Sequence, residues 1–161
     1  YFHDNFKFQT MQYRLENPER PQDRYRFENG LRATYFQTEP STPVCEWAII
    51  CEGAIKAMVT QIWGDTGPAV QVLAIPSRDC SGGVADAVKN CKRVWICLDP
   101  DCWIRPTNAA PTWEPAPVKL SKMIGKNARI VSLAGKVDDM ILSGGLEAHA
   151  WKQALKSARN L

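Results

Sequence analysis

Short, continuously apolar runs alternate with amphipathic stretches through most of the chain after residue 44. The apolar runs lie at 46–51, 70–75, 93–98 and 128–133. The amphipathic stretches between and after them lie at 55–63, 83–91, 118–126 and 146–161. Continuously apolar strands separated by helices are typical of parallel sheets that are covered on both faces. The pattern therefore predicts an α/β fold with a mostly parallel four-stranded sheet flanked by helices.

Residues 1–43 follow a different pattern, in which aromatic and polar residues alternate. Turn signals occur at Pro18, at Pro21 and at the pair Asn29-Gly30. Alternation interrupted by such turns favours β-hairpins over a helix. We therefore expect an N-terminal β-rich extension, or lead-in, over 1–43 and a main domain with a C-terminal helix over 44–161.

Acidic residues follow two of the predicted strands at the point where each strand ends. Glu52 ends the first strand, and Asp99 and Asp101 follow the third. Ligands of open parallel sheets bind outside the carboxyl ends of the strands, so these side chains converge if the two strands are neighbours. Carboxylate oxygens without His or Cys suit Mg²⁺ or Mn²⁺. Each motif alone is common in ordinary turns, but both together favour a metal site.

Other polar residues are expected at the same edge of the sheet. Lys56 lies one helical turn beyond Glu52 and either balances the carboxylates, binds phosphate or is a surface lysine. Gly53 permits a tight turn that exposes backbone N–H groups at a helix N-terminus. Arg78 and Ser81 follow the second strand, where phosphate binding and an ordinary glycine turn are both open interpretations.

Two further acidic residues, Asp138 and Asp139, come after the fourth predicted strand and directly follow the segment that contains Lys136. Acidic residues at this position either extend a metal site or stabilise the positive end of a helix dipole. We take Asp138 as a candidate metal ligand and Lys136 as a candidate phosphate contact, and we expect one of the two aspartates to begin a helix.

The net charge of +3 is unevenly distributed along the chain. Residues 117–161 carry eight Lys and Arg against three Asp and Glu, whereas residues 41–116 carry six against eight. A basic region beside an acidic one fits a protein that binds a polyanion and holds a metal, although a solvated helix explains the basic region equally well. Lys152 and Lys156 lie off the apolar stripe of the last predicted helix and are candidates for contact with nucleic-acid phosphates.

Composition limits the remaining classes of protein. With 161 residues, 45% hydrophobic and 23% charged, the chain has enough apolar material for one folded domain. No apolar run approaches the roughly 20 residues that span a bilayer, so we expect no membrane partner. The six cysteines form no CxxC pair, which argues against a zinc site. We expect them to be reduced thiols in a cytoplasmic protein, and the chain to be part of a longer one.

Two motifs carry a resemblance to a known family. The sequence ICEGAIKAMV at 50–59, followed by VWICLDPDC at 94–102, resembles the Toprim domain of primases, topoisomerases and some nucleases. The resemblance covers roughly residues 44–142. The segment GKVDDMILSGG at 135–145 is similar to Toprim domains of phage and plasmid replication proteins, and residues 11–30 resemble the lead-in of that subgroup more weakly. The resemblance implies a Rossmann-like Toprim fold.

The resemblance also implies roles for the motif residues. Glu52 would act as the general acid or base, and Asp99 and Asp101 would bind metal. This chain departs from the usual pattern because Cys102 and Trp103 stand where Toprim domains often have small residues; Trp103 either stacks on a base or caps the core, and we favour the core. Haloacid-dehalogenase phosphatases also carry an acidic pair after a strand, but their pair normally comes early in the chain.

The expected function is metal-dependent nucleotidyl transfer on nucleic acid, as in the catalytic domain of a DNA primase from a mobile element. The implied partners are DNA or RNA, nucleoside triphosphates, and helicase or primase modules elsewhere in a longer chain. A Toprim nuclease and a non-catalytic nucleic-acid-binding module remain alternatives. Sequence separates the primase from the nuclease poorly, because both would use the same metal ligands.

Overall fold

The computed structural model describes residues 2–3, 7–8, 12–14, 16–17, 19, 25–27, 35–38, 46–67, 69–77 and 82–159. The strands are β1 (Phe2–His3), β2 (Lys7–Phe8), β3 (Gln12–Arg14), β4 (Tyr25–Phe27), β5 (Phe36–Gln37), β6 (Trp47–Glu52), β7 (Val70–Ile75), β8 (Arg93–Cys97) and β9 (Ala128–Ile130). The helices are α1 (Ala54–Trp63), α2 (Gly82–Ala87), α3 (Ala116–Ile124), α4 (Val137–Leu142) and α5 (Gly145–Lys156). A 3-10 turn covers Pro100–Trp103.

The central sheet has five strands in the order β5-β7-β6-β8-β9. β7, β6, β8 and β9 run parallel, which confirms the predicted α/β fold with a mostly parallel sheet. The short strand β5, which lies within the predicted lead-in, adds a fifth strand that pairs antiparallel with β7. Two separate antiparallel pairs, β1 with β2 and β3 with β4, fit the predicted hairpin character of the N-terminal region.

Both faces of the sheet are covered by helices, which explains why its strands are apolar throughout. One face packs Ile50, Leu73 and Ile96 against apolar side chains of α2 and α3, among them Val84 and Leu120. The opposite face buries side chains of α1, α4 and α5 against the sheet, including Ala57, Met140 and Trp151. Burying apolar area on both faces is the main contribution to the stability of such a three-layer fold.

Two helices differ from the sequence-based expectation. α2 ends at Ala87 although the apolar pattern continues to Cys91, because residues 88–90 form a turn before β8. α4 is a separate short helix with Asp138 and Asp139 in its first turn, which confirms the expected helix start there. Among the described residues, no helix is both long and apolar enough to cross a membrane.

The cysteines in the described part of the chain differ in oxidation state. Cys51, Cys97 and Cys102 are free and buried, as expected for small apolar side chains. Cys91 is disulfide-bonded, so the prediction of six reduced thiols is wrong for this residue.

Candidate metal and nucleotide site

The carboxyl ends of β6 and β8 lie side by side at the point where the strand order reverses. The chain moves from β6 to β7 on one side and then to β8 on the other, so the switch point lies between β6 and β8. The two strands pair in parallel with Cys51 opposite Cys97. Glu52 and the residues after β8 therefore lie at the same edge, as the sequence analysis required, and open α/β sheets bind ligands at such an edge.

A glycine forms the turn that orients Glu52. Gly53 has a φ of 85°, a left-handed conformation that side chains with a Cβ rarely adopt. Its N–H donates a hydrogen bond to the carbonyl of Ile75, 2.9 Å away, and α1 begins at the next residue. The chain thus turns sharply after β6, so that Glu52 is half-buried at the sheet edge and Gly53 sits at the N-terminal end of α1.

Asp99 forms a buried ion pair with Lys56. The distance from Lys56 Nζ to Asp99 Oδ2 is 2.9 Å, and the side chains are only 17% and 9% exposed. The other oxygen, Asp99 Oδ1, is buried and accepts no hydrogen bond from any residue that the structure describes. Since buried polar atoms are normally paired, this oxygen has capacity for a further ligand.

Glu52, Asp101 and Cys102 come close enough to share one ion. Their ligand atoms all lie within 4.8 Å of one another. The Cys102 thiol donates a hydrogen bond of 3.0 Å to Glu52 Oε2. The 3-10 turn produces this arrangement, because it buries Cys102 while leaving Asp101 exposed.

The donor set fits a hard divalent cation. Carboxylate oxygens are the usual ligands of Mg²⁺ and Mn²⁺. The predicted ligand Asp99 is not one of the three residues whose ligand atoms converge, but its Oδ1, which has no hydrogen-bond partner among the described residues, is a further candidate donor. Sequence reasoning missed Cys102 as a member of this group, because it treated the thiols as core residues. Burial, the hydrogen bond to Glu52 and the neighbouring carboxylates raise the pKa of the Cys102 thiol, so Cys102 acts as a protonated donor to Glu52 and not as a thiolate ligand.

Burial and like charges perturb the titration of the carboxylates. The pKa of Glu52 is raised above its ordinary value, mainly because the carboxyl group is buried. The charges of Asp99 and Asp101 raise this pKa as well, whereas the hydrogen bond from Cys102 acts in the opposite direction. Burial also raises the pKa of Asp99, even though the hydrogen bond and charge of Lys56 act in the opposite direction. A site that disfavours its own negative charge has electrostatic capacity for a bound cation.

α4 brings two more predicted residues towards this group. Asp138 Oδ1 is buried without a hydrogen-bond partner in the described part of the chain, and the charge of Asp138 acts on Lys56. Lys136 immediately precedes α4 and its charge acts on Asp99. Glu52 and Asp101 are therefore within reach of one ion, and Asp99 is held by Lys56 beside them in the chain. The charges of Lys136 and Asp138 act on the Lys56–Asp99 pair, and Gly53 lies at the adjoining turn. We call these residues the carboxylate cluster.

Other predicted site residues lie apart from the cluster or outside the described residues. Lys152 forms an exposed ion pair of 2.6 Å with Asp65, just beyond the C-terminal end of α1. Because α1 has 10 residues, this pair lies about 15 Å along the helix from Glu52. Lys156 is exposed in the last turn of α5. Arg78 and Ser81 lie outside the described residues.

The preferred interpretation of Trp103 as a core residue is wrong. Its side chain is 39% exposed at the end of the 3-10 turn, two residues after Asp101. The neighbouring Cys102 fills the buried position instead, because the turn directs the smaller side chain into the core.

Comparison with known proteins identifies the fold. No protein-family model and no curated protein sequence matches the chain. Among solved structures, the chain is similar to the primase fragment of the bacteriophage T7 primase-helicase protein, with a TM-score of 0.62 and 10% identity over 97% of this chain and 58% of that one. It is also similar to the Aquifex aeolicus primase (zinc-binding and RNA polymerase domains), with a TM-score of 0.63 and 13% identity over 97% of this chain and 38% of that one.

These similarities confirm the expected resemblance to primase-type domains at the level of fold. Identities of 10% and 13% are too low to transfer residues or activity. The chain spans less than two thirds of the length of either primase structure.

Proposed function

We propose that this chain is a nucleotidyl-transfer domain of the primase type, acting on nucleic acid with Mg²⁺ or Mn²⁺. The observation that carries the proposal is the convergence of Glu52 and Asp101 at the switch point of a primase-like sheet. The buried carboxylate of Asp99, two residues before Asp101, is a candidate further ligand. The Toprim motifs of the sequence support the same assignment.

In this proposal Glu52, Asp99 and Asp101 hold the ions, and Asp138 supplies a further ligand from α4. Ions bound there would neutralise the charge of a triphosphate and stabilise the attacking and leaving oxygens. Glu52 accepts the proton of the attacking hydroxyl, for which a carboxylate with a raised pKa is suited. Lys56 fixes the Asp99 carboxylate through their ion pair. Gly53 offers its helix N-terminus to phosphate, and Lys136 attracts it.

The partners in this proposal are single-stranded DNA or RNA and nucleoside triphosphates. Further modules in a longer parent chain are expected, because the chain covers only part of both primase structures. Origin from a phage or plasmid replication protein is a proposal that rests on the sequence resemblance alone. The basic surface of α5, with Lys152 and Lys156, is proposed to contact nucleic-acid phosphates away from the reacting atoms.

Incubation with labelled single-stranded DNA, nucleoside triphosphates and Mn²⁺ tests the proposal. We expect nucleotide-dependent products, and we expect Glu52→Gln to abolish them while the matched surface variant Glu46→Gln retains them. Glu46 is exposed and pairs with Lys92 outside the cluster, so its loss leaves the site intact. Cutting of the strand without added nucleotides would identify a nuclease, and activity that survives Glu52→Gln would contradict any catalytic role of this site.

A further inference from the structure

A cavity opens directly beside the carboxylate cluster. Its volume is about 430 Å³, it is open to solvent on one side, and it is lined by the loop that follows the 3-10 turn and by the first turn of α3. Pockets of about 300–1,000 Å³ with a few placed polar groups are typical of small-molecule sites. None of the roles assigned above uses this cavity.

The cavity and the cluster share one residue. Cys102 lines the cavity, and its thiol donates the 3.0 Å hydrogen bond to Glu52. Glu52 and Asp101 are not among the lining residues, but their ligand atoms lie within 4.8 Å of the Cys102 sulfur, so Cys102 connects the cavity with the carboxylates. A molecule with a compact ring at one end and phosphates at the other matches this arrangement.

The cavity walls match the chemistry of a nucleobase. Trp113 provides an aromatic side chain that is only half-buried, as a stacking surface requires. Asn108 carries an amide that both donates and accepts hydrogen bonds, and Thr112 adds a hydroxyl. The Glu114 carboxylate in the same wall is paired with Lys122, so its charge is balanced.

The loop that carries these groups is held by its own hydrogen bonds. The N–H of Ala109 donates to Pro106 and the N–H of Trp113 donates to Ala110, at 3.0 and 2.9 Å. The Arg105 guanidinium also donates to the Ala110 carbonyl. Because the loop is already held by these hydrogen bonds, ordering it when a ligand binds costs little additional free energy.

We propose that this cavity is a nucleobase pocket, in which a base stacks on Trp113 and bonds to Asn108. The orientation of its phosphates towards the carboxylate cluster rests on the proposed function, whereas recognition of the base does not. The base comes either from an incoming nucleoside triphosphate or from a nucleic-acid strand, and the shared chemistry is the planar heterocycle with polar edges.

Saturation-transfer NMR with uncharged nucleosides, in the absence of metal, tests the pocket without involving the carboxylates. We expect saturation transfer to the base protons, and about tenfold weaker binding after Trp113→Ala, since stacking contributes about 1–3 kcal/mol per base. Trp113→Phe should restore part of the affinity, and Asn108→Ala, at an exposed side chain, should weaken binding without affecting the fold. Trp63→Ala and Asn90→Ala, at exposed positions outside the cavity, are the matched controls.

Competition then distinguishes the source of the base. Displacement of the nucleoside mainly by a nucleoside triphosphate indicates the incoming nucleotide, and displacement mainly by a short single-stranded oligonucleotide indicates the strand. Absence of saturation transfer in the wild type, or equal transfer in Trp113→Ala, Asn108→Ala and the controls, would overturn the pocket. The proposed function fails separately: nucleoside binding that persists while no nucleotide is incorporated would overturn that proposal and leave the pocket standing.

Discussion

The buried ion pair between Lys56 and Asp99 gives the sharpest quantitative prediction. Lys56→Met keeps most of the length of the side chain and removes its charge together with its hydrogen bond to Asp99. At the observed separation of 2.9 Å, and with an effective dielectric constant of about 20, the lost attraction is about 6 kcal/mol. Asp99 can avoid this penalty by taking up a proton, which costs about 4 kcal/mol at pH 7 and about 1.5 kcal/mol at pH 5 for an ordinary aspartate.

The variant protein responds in the way that costs less free energy, which here is protonation of Asp99. The cost of protonation is therefore the upper limit of the loss in the free energy of unfolding. We expect Lys56→Met to lower the free energy of unfolding by about 3 kcal/mol at pH 7, in line with broken buried pairs, and by about 1 kcal/mol at pH 5. The sign follows from linkage: without Lys56 the folded-state pKa of Asp99 rises further, so stability falls as pH rises from the unfolded pKa towards the folded one. In the wild type the pKa of Lys56 is raised, so Lys56 keeps its charge throughout this range.

Urea unfolding at several pH values, with EDTA present to remove divalent ions, measures this difference. Lys92→Met is the matched control, because Lys92 forms an exposed ion pair with Glu46 that contributes at most about 1 kcal/mol. Equal losses in the two variants, or a loss in Lys56→Met that does not depend on pH, would refute the reasoning.

Three further predictions follow from burial. Because burial raises the pKa of Glu52, its ionised form destabilises the fold at pH values above the ordinary pKa of glutamate. Glu52→Gln should therefore unfold at a higher urea concentration than the wild type at pH 7.5, and at a similar concentration near pH 4. Equal unfolding midpoints of the two proteins at both pH values would contradict this. Burial raises the pKa of Cys51 to about 12, so a thiol reagent at pH 8 should modify Cys51 only at the rate of unfolding, as mass spectrometry would detect. Trp151 is buried and donates a hydrogen bond to the Gly64 carbonyl, so Trp151→Ala should lower the free energy of unfolding by about 4 kcal/mol in denaturant titrations, and a loss below about 1 kcal/mol would be inconsistent with this packing.

The sequence predicted the central sheet well because its strands are buried on both faces. β6 and β7 match the predicted runs to within one residue, since continuous apolar character is required at every position of a strand between two helical layers. β5 was not predicted as part of this sheet, because its pairing with β7 joins residues 36 to 38 positions apart and leaves no local pattern.

The candidate site was predictable only in part, for a related reason. Glu52, Asp99 and Asp101 are visible in the sequence because charges that end apolar strands are unusual. The ion pair of Asp99 with Lys56 and the hydrogen bond of Cys102 to Glu52 depend on which strands are neighbours. Balancing the carboxylates was one of the roles expected for Lys56 from its spacing to Glu52. No local pattern identified Asp99 as its partner, or Cys102 as the partner of Glu52, because these partners lie 43 and 50 positions apart.

The central claim is that Glu52 and Asp101 share a divalent ion, and Mn²⁺ binding measured by electron paramagnetic resonance tests it most directly. We predict that the wild type removes free Mn²⁺ from solution, that Glu52→Gln and Asp101→Asn each weaken this binding at least tenfold, and that the surface variant Glu46→Gln binds like the wild type. Folded Glu52→Gln and Asp101→Asn proteins that bind Mn²⁺ as tightly as the wild type would contradict the account.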